Sequence, residues 1–299
     1  MRILVTGGAG FIGSHLVDAL VARGDEVLVI DNLSRGDSQN IATSAKFVEM
    51  DVRNSEDFDS ICLEFNPEVI HHLAAINGTR RFHNEADLVV DVNVNGTKNA
   101  ISAAKKCGAM LVFYSSPEAF GENEEMPLSN LTNSVFTPAN LHQRHSYGSS
   151  KYIGELLCQF AVRNGHNVRI VRPFNAYGKR LRGDENGQVV SMMINSNPII
   201  VHGDGSQTRS FTWIGDLITA LLKVNDGSEL SGMAFNLGSQ EETTILDLAN
   251  IISKLTGSDI QFGEKNYGDS ARRLPDLESN KLLEWKAETT LIQGLNQLL

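Results

Sequence analysis

Short apolar runs recur along the first half of the chain, and each is followed by a segment of helical period. Ile3-Leu4-Val5 opens the series, and residues 14–21 follow with apolar positions three and four apart. Residues 26–30, 46–50, 68–75, 110–114 and 168–171 repeat the short apolar pattern. Longer helical stretches cover 88–107 and 147–162. Continuous apolar strands alternating with amphipathic helices predict a parallel, doubly wound α/β sheet covered on both faces. In such sheets ligands bind beyond the carboxyl ends of the strands. Gly7, Asp31, Asp51, Ala74, Ser116 and Phe174 fall at those ends.

The rhythm changes near Tyr177. Polar, Gly- and Asn-rich stretches at 179–188 and 203–207 separate shorter elements. We therefore expect residues 1–176 to form a nucleotide-binding domain and 177–299 a smaller substrate-binding region. The two should interleave, because residues 233–237 read as a strand returning to the main sheet. The irregular stretch 121–144, with two prolines, reads as a lid over the site or as a surface excursion.

Gly7, Gly10 and Gly13 stand between the first strand and the first helix with G-x-x-G-x-x-G spacing. A Gly-rich turn opening a helix points backbone N–H groups at an anion and leaves no Cβ in its way. This is the start of a Rossmann-type dinucleotide site. Asp31 ends the second strand, about 20 residues on, where a carboxylate accepts hydrogen bonds from ribose hydroxyls and repels a 2′-phosphate. NAD is therefore favoured over NADP, and Arg35 reads as a solvated loop arginine.

The bulk numbers narrow the class. A formal charge of −10, with no basic run, argues against nucleic-acid binding. Cys62, Cys107 and Cys158 form no C-x-x-C pair, so free thiols in a reducing compartment are expected. No apolar run reaches transmembrane length and no signal peptide is apparent. No membrane association and a cytoplasmic location are the expectation.

Tyr147 and Lys151 lie four residues apart and share one helix face. An ammonium beside a phenol favours the phenolate, so this pair suits proton removal from an alcohol during its oxidation. Ser115-Ser116, ending the preceding strand, could complete the relay. His71 and His72 read as packing or turn residues. His142 and His145 read as parts of a solvated loop, and no metal site is expected. Arg80 and Arg81 lie near the expected mouth of the site.

With these motifs in place, the chain resembles the extended short-chain dehydrogenase/reductases of the NAD-dependent nucleotide-sugar epimerase/dehydratase family. The resemblance rests on TGGAGFIGSHL (6–16), DNLSRG (31–36), HLAA (72–75), NVNGT (93–97), SSPEAFG (115–121), YGSSK (147–151), RPFNAYG (172–178) and GDGSQTRSFTWIGD (203–216). A weaker RRLPD follows at 272–276. It implies Tyr147 as general base, Lys151 as its electrostatic partner and a ribose ligand, and Ser116 on the sugar 4-hydroxyl. Phe11, Ile12, Asp31, Asn32, Ser34, Asp51, Val52, Leu73, Ala74, Ala75, Asn95 and Phe174 would line the NAD site with the glycines. Asn175 and Arg209 would hold the diphosphate of a nucleotide sugar, with Arg273 assisting. It also implies a homodimer formed through helices beside the one that carries Tyr147.

In this family the 4-hydroxyl is oxidised, and the 4-keto sugar then epimerises, loses water or loses carbon dioxide. UDP-hexose 4-epimerisation leads our reading. Glu118 fits the dehydratase and decarboxylase branches, where a carboxylate stands beside the keto sugar. Pro117 replaces the aspartate that dehydratases pair with it, and Phe120 replaces a usual tyrosine. A non-catalytic NAD-binding regulator is the alternative from another class, and intact Ser116, Tyr147 and Lys151 argue against it. A reductase of small ketones is disfavoured by Asn175 and Arg209.

Overall fold

Ile3, Leu4 and Val5 are completely buried in strand β1 (Arg2–Thr6), which needs apolar cover on both faces. A computed structural model supplies that cover, and it describes every residue except 185 and 266–269. After β1 come α1 (Phe11–Ala22), β2 (Glu26–Asp31), β3 (Lys46–Glu49), α2 (Ser55–Phe65), β4 (Val69–His72), α3 (Thr79–Asn84), α4 (Ala86–Cys107), β5 (Met110–Tyr114), α5 (His145–Arg163) and β6 (Val168–Pro173). Then follow β7 (Ala176–Tyr177), α6 (Val189–Ile194), β8 (Ile199–His202), β9 (Thr208–Ser210), β10 (Thr212–Trp213), α7 (Ile214–Asp226) and β11 (Ala234–Leu237). The chain ends with β12 (Glu242–Thr244), α8 (Ile245–Thr256), β13 (Ile260–Gly263) and α9 (Leu291–Leu298).

Seven strands form one parallel sheet in the order β11-β6-β5-β4-β1-β2-β3. The order reverses between β1 and β4, which opens a crevice at their carboxyl ends. Alternate strand residues go to opposite faces. Ile3, Val5, Val27 and Val29 pack on α1 and α7, while Leu4, Leu28, Ile70 and Leu111 pack on α2, α4 and α5. The strand expected at 233–237 is β11, paired with β6 from Ala234↔Ile170 to Leu237↔Pro173. A smaller core holds Tyr177, Val190, Met193, Ile199, Val201, Phe211 and Leu248.

The irregular stretch after Gly121 is a packed excursion and not a lid. Leu128 is fully buried against Phe120 and Phe174. Its N–H donates to Leu274 O (2.8 Å), and its carbonyl accepts from Asp276 N (2.8 Å). Residues 121–143 are absent from the walls of the main cavity. Among the described residues, no helix is long and apolar enough to cross a membrane.

Candidate active site

A cavity of about 1670 Å³ runs along the carboxyl ends of the sheet. That exceeds the several hundred Å³ of a typical small-ligand pocket and suits two extended ligands end to end. One end is the glycine turn. Gly7 has φ +70°, and a Cβ there would come within 2.8 Å of Ala74 N. A Cβ on Gly13 would overlap the carbonyl oxygen of Gly7. Gly10 caps α1 with no side-chain acceptor. The first N–H groups of the helix are thus left for an anion, as a dinucleotide pyrophosphate requires.

Asp31 is buried at the end of β2, and its oxygens accept from Ala9 N (3.0 Å) and Leu33 N (2.9 Å). Burial raises its pKa. Each oxygen keeps a lone pair for a ribose hydroxyl. Asn32, Ser34, Asp51, Val52, Leu73, Ala74 and Ala75 line the same end, with Phe11 and Ile12. These residues fit NAD. Arg35 is also on the wall and pairs with Asp184 at 2.8 Å, so it is not a free loop arginine.

Two expected cavity residues lie elsewhere. Asn95 is exposed on α4 and donates to Asp91 Oδ1 (2.6 Å), beside a separate surface depression. Two residues along a helix is about 200° of rotation, so Asn93 faces inward instead. It accepts from Ile76 N (2.8 Å) and donates to Ser150 Oγ (3.0 Å), tying the cavity wall to α5. Phe174 is fully buried against Phe120 and Leu128, while its neighbours Pro173 and Asn175 reach the cavity.

Tyr147 and Lys151 sit in the first turns of α5, both buried at the cavity wall. Tyr147 is hydrogen-bonded to Ser116 and stacks on Phe82 of α3, with ring centroids 4.7 Å apart. Phe82 was not legible in the sequence. Lys151 lies one turn further along α5. Its Nζ donates to Tyr114 O (2.7 Å) and lies 5.6 Å from the centre of the Tyr147 ring. Burial raises the Tyr147 pKa despite the Ser116 hydrogen bond, and nearby Glu118 raises it further. Burial pushes Lys151 down to about 8.

A lysine pKa below its unfolded value means that the charged form opposes folding. The penalty is full below pH 8 and lifts as pH rises from 8 toward 10.5. Lys151→Met should therefore stabilise the cofactor-free chain at pH 7 by on the order of 1–2 kcal/mol, after the lost bond to Tyr114 O is allowed for. Thermal melts at pH 7 and pH 10 check this, and the gain should shrink at the higher pH.

The other end of the cavity is rich in guanidinium groups. Asn175 (φ +37°) donates to Ser210 O (3.1 Å), and Arg209 on β9 donates to its neighbour Thr208 O (2.8 Å). Both line the cavity. Glu118 follows Ser116, whose hydroxyl accepts from Glu118 N (3.2 Å). The Glu118 carboxylate lies 3.5 Å from Arg273 and 4.0 Å from Arg144. Burial alone would raise its pKa, but Arg273, then Arg144, Arg209 and His145, outweigh it and hold the carboxyl below its ordinary value. Arg273 is only 3% exposed. Its Nη2 donates to Gly121 O (2.6 Å), yet its buried Nε and Nη1 have no hydrogen-bond partner among the described residues.

The histidines divide. His71 bonds Tyr114 OH (3.0 Å) and Asn225 (2.9 Å), and His72 bonds Thr6 (2.9 Å), as packing residues. Burial pushes them down to about 4 and about 3. His142 and His145 are not solvated. Both pack against Glu122, with Nε2 at 3.1 Å from its Oε1. The sequence hides this because the carboxylate lies 20 residues upstream of the nearer histidine.

The NAD dependent epimerase/dehydratase family model matches residues 3–238. UDP-glucuronic acid decarboxylase 1 of Arabidopsis thaliana is 34% identical over 306 residues, covering 100% of this chain and 69% of the plant protein. The crystal structure of a UDP-glucose 4-epimerase from Thermotoga maritima with UDP-glucose superposes at a TM-score of 0.92, with 29% identity, over 99% of this chain and 97% of that one. A UDP-glucuronic acid 4-epimerase from Bacillus cereus, in complex with UDP-glucuronic acid and NAD, gives 0.88 at 27% identity, over 99% and 97%. With the glycine turn, the Asp31 carboxylate and the Ser116–Tyr147–Lys151 group placed around one cavity, these matches make the chain an enzyme of the NAD dependent epimerase/dehydratase family, with NAD as its cofactor.

Proposed function

We propose that the chain oxidises C4 of a UDP-linked hexuronic acid and releases its C6 carboxylate as carbon dioxide. The observation that carries this reading is the pairing of Glu118, held ionised, with a buried Arg273 that keeps two nitrogens unpartnered. A buried guanidinium left short of acceptors is costly unless a ligand anion completes it. The diphosphate is assigned to Arg209 and Asn175, so the anion nearest Glu118 is a carboxylate on the sugar. The decarboxylases among the similar proteins support the same choice.

NAD supplies the two-electron acceptor and a positive charge on its oxidised ring. With the Lys151 ammonium and the positive cofactor ring favouring its phenolate, Tyr147 would take the proton from the 4-hydroxyl, with Ser116 sharing that hydrogen bond, so the carbonyl oxygen forms between two hydroxyl groups. The product is a β-keto acid. Its C5–C6 bond breaks toward C4, and Tyr147 and Ser116 stabilise the enolate oxygen. Glu118 would orient the water that returns a proton to C5, and the two electrons taken from C4 would then return there with a proton from Tyr147, giving a UDP-pentose and leaving the cofactor oxidised as at the start. Lys151 holds the strand end through Tyr114 O and would offer its charge to the phenolate and to the cofactor ribose.

A second reading is 4-epimerisation of the same acid sugar, which the structural likeness to the Bacillus cereus epimerase favours. Product mass decides between them, because epimerisation conserves it. A regulator without turnover is disfavoured by the presence of Ser116, Tyr147 and Lys151 on the walls of one cavity.

A homodimer is expected through the outer face of α5. Tyr152, Leu156 and Phe160 form an apolar stripe at four-residue spacing, and Phe160 is 67% exposed. Leu156→Glu with Phe160→Glu should convert the dimer to a monomer in sedimentation velocity, with NAD still bound. An unchanged sedimentation coefficient would place the contact elsewhere.

A further inference from the structure

The cluster of Glu122, His142 and His145 takes no part in the chemistry above. We propose that these three side chains form a site for a divalent transition-metal ion of the zinc class. The site would lock the packed excursion 121–144 onto the first turn of α5.

The donor set is one carboxylate and two imidazoles, a borderline N/O combination that selects zinc-like ions over magnesium or calcium. Glu122 Oε1 stands 3.1 Å from both Nε2 atoms, and all three donor atoms lie within 4.8 Å of one another. Zinc bonds of about 2.0–2.1 Å in a tetrahedron place ligand atoms about 3.3 Å apart. An ion therefore fits between these groups with side-chain adjustment alone. The histidine side chains are 6% and 12% exposed, and Glu122 is 29% exposed. The open side leaves room for a water as fourth ligand.

The donors are held in place by the fold. Glu122 follows Gly121, whose positive φ (+66°) and close approach to the Val135 carbonyl exclude any side chain there. Glu122 N donates to Val135 O (2.7 Å). His145 opens α5, and the ring of Phe136 packs edge-on against it at 5.2 Å. The two imidazoles are 4.9 Å apart between centroids.

The protons balance. Without an ion, both Nε2 atoms face Glu122 and His142 Nε2 also lies 3.2 Å from Thr137 Oγ1, and the ion takes the place of these hydrogen bonds by using the Nε2 lone pairs. Each ring then carries its proton on Nδ1. In His145 that atom is buried with no partner among the described residues. In His142 it gives up a 3.2 Å contact from Arg144 N. Arg144 lies between the two histidines, 4.0 Å from Glu118, and Tyr147 is two residues beyond His145. An ion here touches no reacting atom and acts by positioning these two residues.

The test uses the full chain with NAD bound. After dialysis against chelator and then against zinc, metal per chain is read by mass spectrometry, and cobalt(II) is used as a spectroscopic probe. One zinc per chain, tetrahedral cobalt bands, and a rise in melting temperature on zinc addition are expected. His142→Ala with His145→Ala, and separately Glu122→Gln, should each lose at least tenfold in zinc affinity and lose the thermal response. Bound NAD confirms that the variants fold, and E122Q keeps the hydrogen-bonding shape if the double variant does not. Substoichiometric zinc in the parent chain, or equal affinity in parent and variants, would overturn the site.

Discussion

Tyr147→Phe should abolish turnover while leaving NAD bound. The phenol is hydrogen-bonded to Ser116 from α5, and Lys151 Nζ donates to the Tyr114 carbonyl. General acid–base groups of this kind contribute about 10²–10⁴-fold to rate. A loss at the upper end is expected, because both the oxidation and the return step use the same hydroxyl. The phenyl ring still stacks on Phe82 and fills the same buried space, so folding and cofactor content should be unchanged. Turnover and NAD released on denaturation are the two readouts. Turnover within tenfold of the parent enzyme would show that another group takes the proton.

Arg273→Met should separate acid from neutral sugars. Removing one partner of a buried, hydrogen-bonded charge pair costs about 2–4 kcal/mol, or roughly 30- to 1000-fold in kcat/KM. That loss should fall on UDP-hexuronates and spare binding of UDP-hexoses. The variant also removes the Nη2 contacts to Glu118 and to the Gly121 carbonyl, so some stability is lost and a thermal melt is read beside the kinetics. Glu118 loses its first counter-charge in this variant, so its pKa rises. The pH profile of residual activity should shift upward on its acid limb. Equal losses for both sugar classes would instead place Arg273 on the diphosphate.

What the sequence made legible was local. Three glycines at fixed spacing, an acid at a strand end, and a Tyr–Lys pair one helical turn apart are read within a single βα unit. Each falls on the cavity wall as that reading requires. Groupings across the fold were not legible. Glu118 and Arg273 meet across 155 residues of chain, and nothing local to RRLPD announces that its second arginine is buried beside that carboxylate. Orientation within an element was the other limit. Asn95 and Phe174 lie in the expected segments but face away, because Asn93 on α4 and the neighbours of Phe174 take the inward positions. The Tyr–Lys spacing gave the right face, yet it did not show that a carbonyl at the end of β5 would claim the lysine Nζ.

The most direct test incubates the NAD-loaded enzyme with UDP-glucuronic acid and, separately, with UDP-glucose, reading products by mass spectrometry and NMR. The account predicts loss of carbon dioxide from the acid sugar, giving a UDP-pentose, and no turnover of the neutral one. A product of unchanged mass with inverted C4, or turnover confined to UDP-glucose, would contradict it and leave Glu118 and Arg273 without the role assigned here.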